Sequence, residues 1–464
     1  MLLQKFEAKG LSHYSYAVGD EKEAIIAIID PERDINTYID YAAKNKLKIK
    51  YILETHIHAD FASGAKALAD KTGAELVLSA YDDGEKYEYS FPHTEAFDGG
   101  VINLGSVSLK VLHTPGHTPE HISFLLSENH TPIALFSGDF LFIGSLGRPD
   151  LLGEEEKHKL AEKLYDSVKN KLVDIPDSVE VYPAHGAGSL CGAGMSTAAS
   201  SDMKSERMYN PYLSPELTQE QFVAKILGSS PPFPQYYLRM KALNALGADS
   251  YDNLIAPKPM TVEDFADIVD HGVIVDVRHP LTYGAAHIED SLNFGSLEQL
   301  VQWAPWVLSY DEPVYLVGDN DEKIPDYVRS LARVGLDNVE GYLKPGINAW
   351  VNKGNDFEDT PQVSVHYVND LMDAGEKIKI IDVRSDSEWK EGHIKGATHI
   401  YLGDLPGKID KLNPEDTIFC ICGGGTRSSL AASLIQQEGY DFVYNVFGGM
   451  GAWKAANLEM EVSK

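Results

Sequence analysis

The triplet Asp276-Val277-Arg278 recurs as Asp382-Val383-Arg384, 106 residues further on. Each triplet is followed at the same interval by a His-Ile pair, His287-Ile288 and His393-Ile394, and each unit closes on Ala-Trp, Ala349-Trp350 and Ala452-Trp453. Landmarks kept in register over about 100 residues mean duplicated domains, because solenoid repeats are far shorter. Within each unit, apolar strands such as Val273–Val277 and Thr417–Ile421 alternate with helical segments. That alternation predicts a parallel sheet flanked by helices in each copy. The chain has 464 residues, so the duplication leaves a first half with a fold of its own, about three domains in all.

The first half also alternates. Glu23–Asp30 and Ile49–Leu53 read as buried strands, with Ile35–Lys46 helical between them. Phe61–Lys71 is Ala-rich and predicts a helix; Val107–Leu112, His121–Leu126 and Ile133–Phe136 predict strands, and Glu154–Leu172 an amphipathic helix. Ser201–Leu246 reads as helices broken by Pro-rich turns, packed on the first domain. The expected domains are 1–247, 258–356 and 362–464, all of α/β class.

A net charge of −30 repels nucleic acid and anionic membranes, so neither is an expected partner, and an anion site has to be built locally. No apolar run is long enough for a membrane span, and the N-terminus lacks the layout of a signal peptide. Three cysteines, Cys191, Cys420 and Cys422, make no disulfide framework. They point to a cytoplasmic protein in which a special cysteine is a reactive one.

Four segments of the first half carry metal-ligand chemistry: His56/His58/Asp60, His113/His117/His121, Asp139 and His185. Nearly all directly follow an apolar strand, which places them on loops at strand ends, where α/β proteins assemble sites. His113 ends a strand and His121 begins one, so these two are the members expected to be structural neighbours.

In order, the segments Thr55–Asp60, Thr114–Thr118, Gly138-Asp139, Gly147–Asp150 and Tyr182–His185 resemble the persulfide dioxygenase branch of the metallo-β-lactamase superfamily. The resemblance implies an αββα sandwich and one Fe(II) per chain held by His56, His117 and Asp139. His58, Asp60 and His185 would orient those ligands and exchange protons with them. Elsewhere in the superfamily a histidine usually follows the aspartate directly, and it helps hold a second metal. Here that position is Phe61. Two histidines and one carboxylate on one face of Fe(II) leave room for a sulfur substrate and O₂, whereas two-metal hydrolysis needs paired metals about 3.5–4 Å apart. Arg148 either steers an anionic thiol carrier or pairs with Asp150.

The last repeat places Cys422-Gly423-Gly424-Gly425-Thr426-Arg427 between the strand Thr417–Ile421 and the helical Ser428–Gln437. A glycine run lets successive N–H groups converge on one point, and a helix N-terminus and an arginine add positive potential, the setting a nucleophilic thiolate needs. With Asp382-Val383-Arg384, Gly392-His393-Ile394 and Gly448-Gly449, this unit resembles the rhodanese sulfurtransferases. The resemblance makes Cys422 the nucleophile, Arg427 the loop arginine, and Gly423, Gly424, Gly425 and Thr426 the substrate cradle. The four-residue spacer is shorter than the five of cysteine phosphatases and favours sulfur over phosphate. Gly423 stands where rhodaneses often carry a basic residue. Cys420 reads as core packing or as a resolving thiol, and Cys191 as a structural loop residue or as one that approaches the mouth of the metal site. In the middle repeat Gly318 lies opposite Cys422, so that unit is expected to be silent: a spacer, docking surface or dimer contact.

Together the two resemblances imply a persulfide dioxygenase fused to two rhodanese-homology domains, acting on a low-molecular-weight persulfide and O₂ and making or using thiosulfate and sulfite in sulfide detoxification, with assembly as a homo-oligomer. The rivals are a glyoxalase II-type zinc thioester hydrolase with a sulfurtransferase domain, and a non-catalytic sulfur carrier or sensor.

Overall fold

The computed structural model describes residues 1–8 and 10–462. The chain divides into two compact units, Met1–Leu254 with Ala332–Gly335, and Ile255–Leu331 with the chain from Leu336 onward.

The first unit is built on two six-stranded sheets. One takes Leu2–Ala8, His13–Asp20, Ile25–Ile29, Lys48–Leu53, Glu75–Ser79 and Thr94–Ala96 in chain order, antiparallel across its first three strands and parallel thereafter. The other orders Ser201–Asp202, Glu180–Pro183, Thr131–Gly138, Ile122–Glu128, Val107–His113 and Val101–Leu104. Successive side chains along a strand face opposite ways, and the packing follows that period. Ala17, Ile26, Ile28 and Ile52 face the helices Asn36–Asn45 and Ala65–Thr72, while their neighbours Val18, Ala27, Ile29 and Leu53 face the second sheet. There they meet Val107, Leu109, Ile122, Phe124 and Phe136. Helices Lys157–Lys171 and Gln219–Ser229 cover the far face of the second sheet through Leu164, Val168, Phe222 and Ile226. This is the αββα sandwich.

The second unit holds two five-stranded sheets, all parallel. One orders Lys258–Met260, Val339–Leu343, Val314–Val317, Val273–Asp276 and Leu292–Asn293; the other Gln362–Val363, Val443–Val446, Thr417–Ile421, Ile378–Asp382 and Thr398–His399. The two orders coincide element by element, as the repeat requires. The Asp-Val-Arg landmark is scaffolding: Arg278 grips Asp276 (2.8 Å) and the Ala286 carbonyl (2.8 Å), and Arg384 grips Asp382 (2.7 Å) and the Gly392 carbonyl (2.8 Å). Each buried pair ties the end of a strand to the end of the following helix.

Several helix expectations shift at their ends: the helix expected over Glu154–Leu172, for one, runs Lys157–Lys171. The helix expected over Phe61–Lys71 runs Ala65–Thr72, because the chain from Phe61 to Gly64 belongs to a buried loop. A Cβ on Gly64 would lie 2.2 Å from the Glu32 carbonyl oxygen. The helix behind the cysteine loop starts at Thr426, two residues before the expected Ser428. Among the described residues no helix is long and apolar enough to cross a membrane.

Candidate metal centre and sulfur-transfer loop

Strand ends converge at one edge of the sandwich. Thr55–Asp60 follows Lys48–Leu53, His117 sits in the turn after Val107–His113, Asp139 follows Thr131–Gly138, and His185 follows Glu180–Pro183. His117 Nε2 lies 3.3 Å and His56 Nε2 3.8 Å from Asp139 Oδ2, and ligand atoms of the three residues fall within 4.8 Å of one another. All three atoms are buried with no hydrogen-bond partner. Unsatisfied polar atoms of this kind are costly, and three of them aimed at one point fit a metal ion. The donor set, two imidazoles and one carboxylate, suits a transition metal. Burial foremost, then neighbouring histidines and Lys241, push the His56 and His117 pKa values well below normal. Both rings are therefore neutral, as ligands must be.

The remaining nitrogens fix the ring orientations. His117 Nδ1 donates to the Arg148 carbonyl (2.9 Å), and His56 Nδ1 bonds Thr55 Oγ1 (2.9 Å). His185 lies between two carboxylates, 2.7 Å from Asp139 Oδ1 and 2.7 Å from Asp60 Oδ2. Burial alone would lower the His185 pKa, but Asp139 and Asp60 together raise it well above normal, so the ring is an imidazolium. His58 bonds Asp30 (3.1 Å), whose carboxylate also accepts from the Thr55 amide (2.7 Å) and hydroxyl (3.0 Å).

Phe61 is buried, its ring 4.0 Å from His13 and 4.5 Å from His58. His121 is no ligand: its Nε2 accepts from the Asp139 amide (3.0 Å), so the ring supports the ligand's backbone. His113 stacks on Tyr81 at 3.7 Å. Asp60, His185 and Cys191 form a second buried group within 4.8 Å, yet both nitrogens of His185 are already bonded, Nε2 to Asp60 within the group and Nδ1 to Asp139 outside it.

The steering role expected as one reading of Arg148 is corrected. Its guanidinium is buried, with two N–H groups on Asp150 (2.6 and 2.8 Å) and the others on the carbonyls of Leu190, Pro231 and Pro232. No donor is left for an anionic carrier; the arginine joins the Gly147–Asp150 turn to neighbouring loops. Sequence reading missed Asp30, Glu120 and His13. Asp30 ends a strand beside the His-x-His segment, a usable signal; His13 and Glu120 gave none.

In the last repeat, Cys422 lies buried beneath its glycine loop. The Gly425 amide (3.1 Å) and Ser428 hydroxyl (3.3 Å) donate to its sulfur. Gly425 has φ of +105°, which turns its N–H inward where a Cβ would be strained. The Met450 amide donates to the Cys422 carbonyl (2.8 Å), and a Cβ on Gly449 would lie 2.3 Å from that oxygen. The second glycine landmark thus seats the loop. Arg427 does not touch the sulfur: it pairs with Glu388 at 2.7 and 2.8 Å, and this pairing overrides burial to hold the Glu388 carboxyl down at about 2. Cys420 is fully buried in the strand, and burial raises its pKa, so it packs as core. The middle repeat has Gly318 before an acidic turn and meets the last repeat through Asn293, which accepts from Ser429 Oγ (2.6 Å) and donates its amide to Ser433 Oγ (3.1 Å).

The metallo-beta-lactamase of Staphylococcus aureus subsp. aureus COL is 33% identical, covering 74% of this chain and 99% of that one with a TM-score of 0.68. The chain belongs to the metallo-β-lactamase superfamily. The superfamily model matches residues 8–185 of this metallo-β-lactamase-fold protein, and the rhodanese-like domain model matches 261–353 and 364–456. The hydroxyacylglutathione hydrolase of Francisella tularensis subsp. novicida (strain U112) is 34% identical over 185 residues, 39% of this chain and 65% of that protein. The chain thus spans about two thirds of the length of the curated relatives it matches. ETHE1 from Myxococcus xanthus aligns at 26% identity over 53% of this chain and 98% of that one, with a TM-score of 0.45.

Proposed function

We propose that the first unit is a mononuclear iron persulfide dioxygenase and that the last repeat is a sulfurtransferase working on the same sulfur pool. The observation that carries this reading is the set of three orphaned ligand atoms on His56, His117 and Asp139, beside a position filled by Phe61. Fe(II) held there supplies open coordination positions and redox capacity for a persulfide sulfur and O₂.

The balance is RSSH + O₂ + H₂O → RSH + SO₃²⁻ + 2 H⁺, in which the terminal sulfur gives four electrons to O₂. The chain's residues orient and shield. His185 holds Asp139 Oδ1 and leaves Oδ2 for the metal. Phe61 and His13 fill the space beside it with rings. In the transferase step the Cys422 thiolate attacks the outer sulfur of a persulfide, RSH leaves, and sulfite then takes that sulfur from Cys422 as thiosulfate. The Gly425 amide and Ser428 hydroxyl stabilise the thiolate at the start and end of this cycle. Cytoplasmic location and homo-oligomeric assembly belong to the same proposal.

The second reading is a zinc thioester hydrolase, favoured by the similarity to hydroxyacylglutathione hydrolase. O₂ consumption by anaerobically iron-loaded protein given glutathione persulfide separates the two. Uptake with sulfite formation supports the dioxygenase; no uptake, with rapid thioester cleavage by the zinc form, overturns it. Cys422→Ser should abolish thiosulfate formation and spare O₂ uptake.

A further inference from the structure

The loop carrying His56, His58 and Asp60 joins strand Lys48–Leu53 to helix Ala65–Thr72. It has no regular secondary structure, yet every residue from Thr55 to Gly64 is buried. Buried backbone groups need partners, and here the sheets supply few. Helix Tyr236–Leu246, some fifty residues beyond the end of the superfamily match at residue 185, supplies several of the rest. Lys241 Nζ donates to the Ile57 carbonyl (2.8 Å). Asn244 Nδ2 donates to the carbonyls of His58 (2.8 Å) and Phe61 (2.7 Å), and Asn244 Oδ1 accepts from the Ser63 amide (2.8 Å).

We infer that Lys241 and Asn244 are positioning residues of the metal centre: three apart on one helix face, they clamp the backbone of the loop that presents His56. The two side chains are 1% and 3% exposed, and burying a lysine is costly unless its contacts repay it. Its carboxylate partner, Glu120, lies 3.6 Å from Nζ and accepts the Ile57 amide at 3.0 Å. The Ile57 residue is therefore held at both its N–H and its C=O. Asn244 does the same across the turn, joining His58, Phe61 and Ser63 through one amide group. Thr55 Oγ1 orients the His56 ring, but no register of sheet or helix fixes the loop backbone that carries it, so the placement of the ligand set depends on these bonds. The inference rests on the metal-site reading proposed above.

The test is Co(II) titration of the full-length apoprotein, followed by d–d absorption, in wild type, His117→Ala, Lys241→Met and Asn244→Asp. Asn244→Asp keeps the acceptor for Ser63 and puts an oxygen against two carbonyls; Lys241→Met keeps the buried stem without the donor. Both should bind Co(II) about 10- to 100-fold more weakly than wild type, with altered band positions. A residue that merely stabilises the fold would lower apoprotein melting and leave affinity and bands unchanged, and that result overturns the inference. If wild type and His117→Ala bind alike, the metal-site reading itself fails and this inference with it. Should a variant not fold, hydrogen exchange of wild-type apoprotein decides: the Ser63 amide should be protected to the same degree as the helix, and free exchange beside a protected helix overturns the proposal.

Discussion

His185 Nε2 lies 2.7 Å from Asp60 Oδ2. The other nitrogen of the same ring holds Asp139 Oδ1 at 2.7 Å, so the imidazolium links the candidate ligand Asp139 to the carboxylate of Asp60. Two residues that could hold a second ion are instead bonded to each other, and Phe61 offers no replacement. The protein is expected to bind one metal per chain, measured by elemental analysis after iron or zinc loading. His185→Gln should weaken binding about 10- to 100-fold without abolishing it. Two metals per chain at saturation would contradict this arrangement.

Gly147 lies against two of the candidate ligands, His117 and Asp139. A Cβ there would fall 1.9 Å from the Asp139 carbonyl oxygen and 2.9 Å from His117 Nδ1. Gly147→Ala must displace both residues, and metal affinity should fall at least about tenfold. Retention of wild-type affinity in a competition titration would show that the loop can move aside.

Ser428 gives one of the two hydrogen bonds to the Cys422 sulfur, at 3.3 Å. Hydrogen bonds to a charged group contribute about 1.5–3 kcal/mol, so Ser428→Ala should slow sulfur transfer about 10- to 100-fold. Stopped-flow thiosulfate formation from a persulfide and sulfite measures it. An unchanged rate would place thiolate stabilisation on the Gly425 amide.

His287, in the middle repeat, is buried against Tyr283 (ring distance 3.9 Å), and burial foremost, with Arg278, lowers its pKa from 6.5 to about 4. A depressed histidine stabilises the fold in its neutral form. The contribution is present above pH 6.5 and is lost as pH falls from 6.5 through about 4. The full shift corresponds to about 3 kcal/mol. Urea unfolding at pH 7.5 and pH 4 should show a larger loss for wild type than for His287→Asn, which has no ring to titrate; equal losses would refute it.

Much of this was legible in local pattern. The in-register Asp-Val-Arg, His-Ile and Ala-Trp landmarks gave two copies of one parallel fold, because each landmark is a local joint: the Arg384 guanidinium reaches only from a strand end to the following helix end. Cys422 and its glycines were legible because the loop is contiguous. Arg148 was open between two readings because its partners, Leu190, Pro231 and Pro232, lie far along the chain. The Phe61–Lys71 helix was misplaced at its start because helix propensity carries no information about a loop that must stay extended to present ligands.

The sequence by itself determined the candidate ligand types, their order on strand-end loops, the duplicated domains and the absence of a histidine at position 61, since these depend on residue identity and short-range periodicity. The tertiary structure decided which nitrogen of each ring faces the metal point, that His185 is locked between Asp60 and Asp139, that Arg427 is paired with Glu388, and that Lys241 and Asn244 hold the ligand loop. Apart from the bond of His56 to its neighbour Thr55, those facts depend on hydrogen bonds between residues tens to hundreds of positions apart. Only the packed sheets and helices bring such partners within 3 Å.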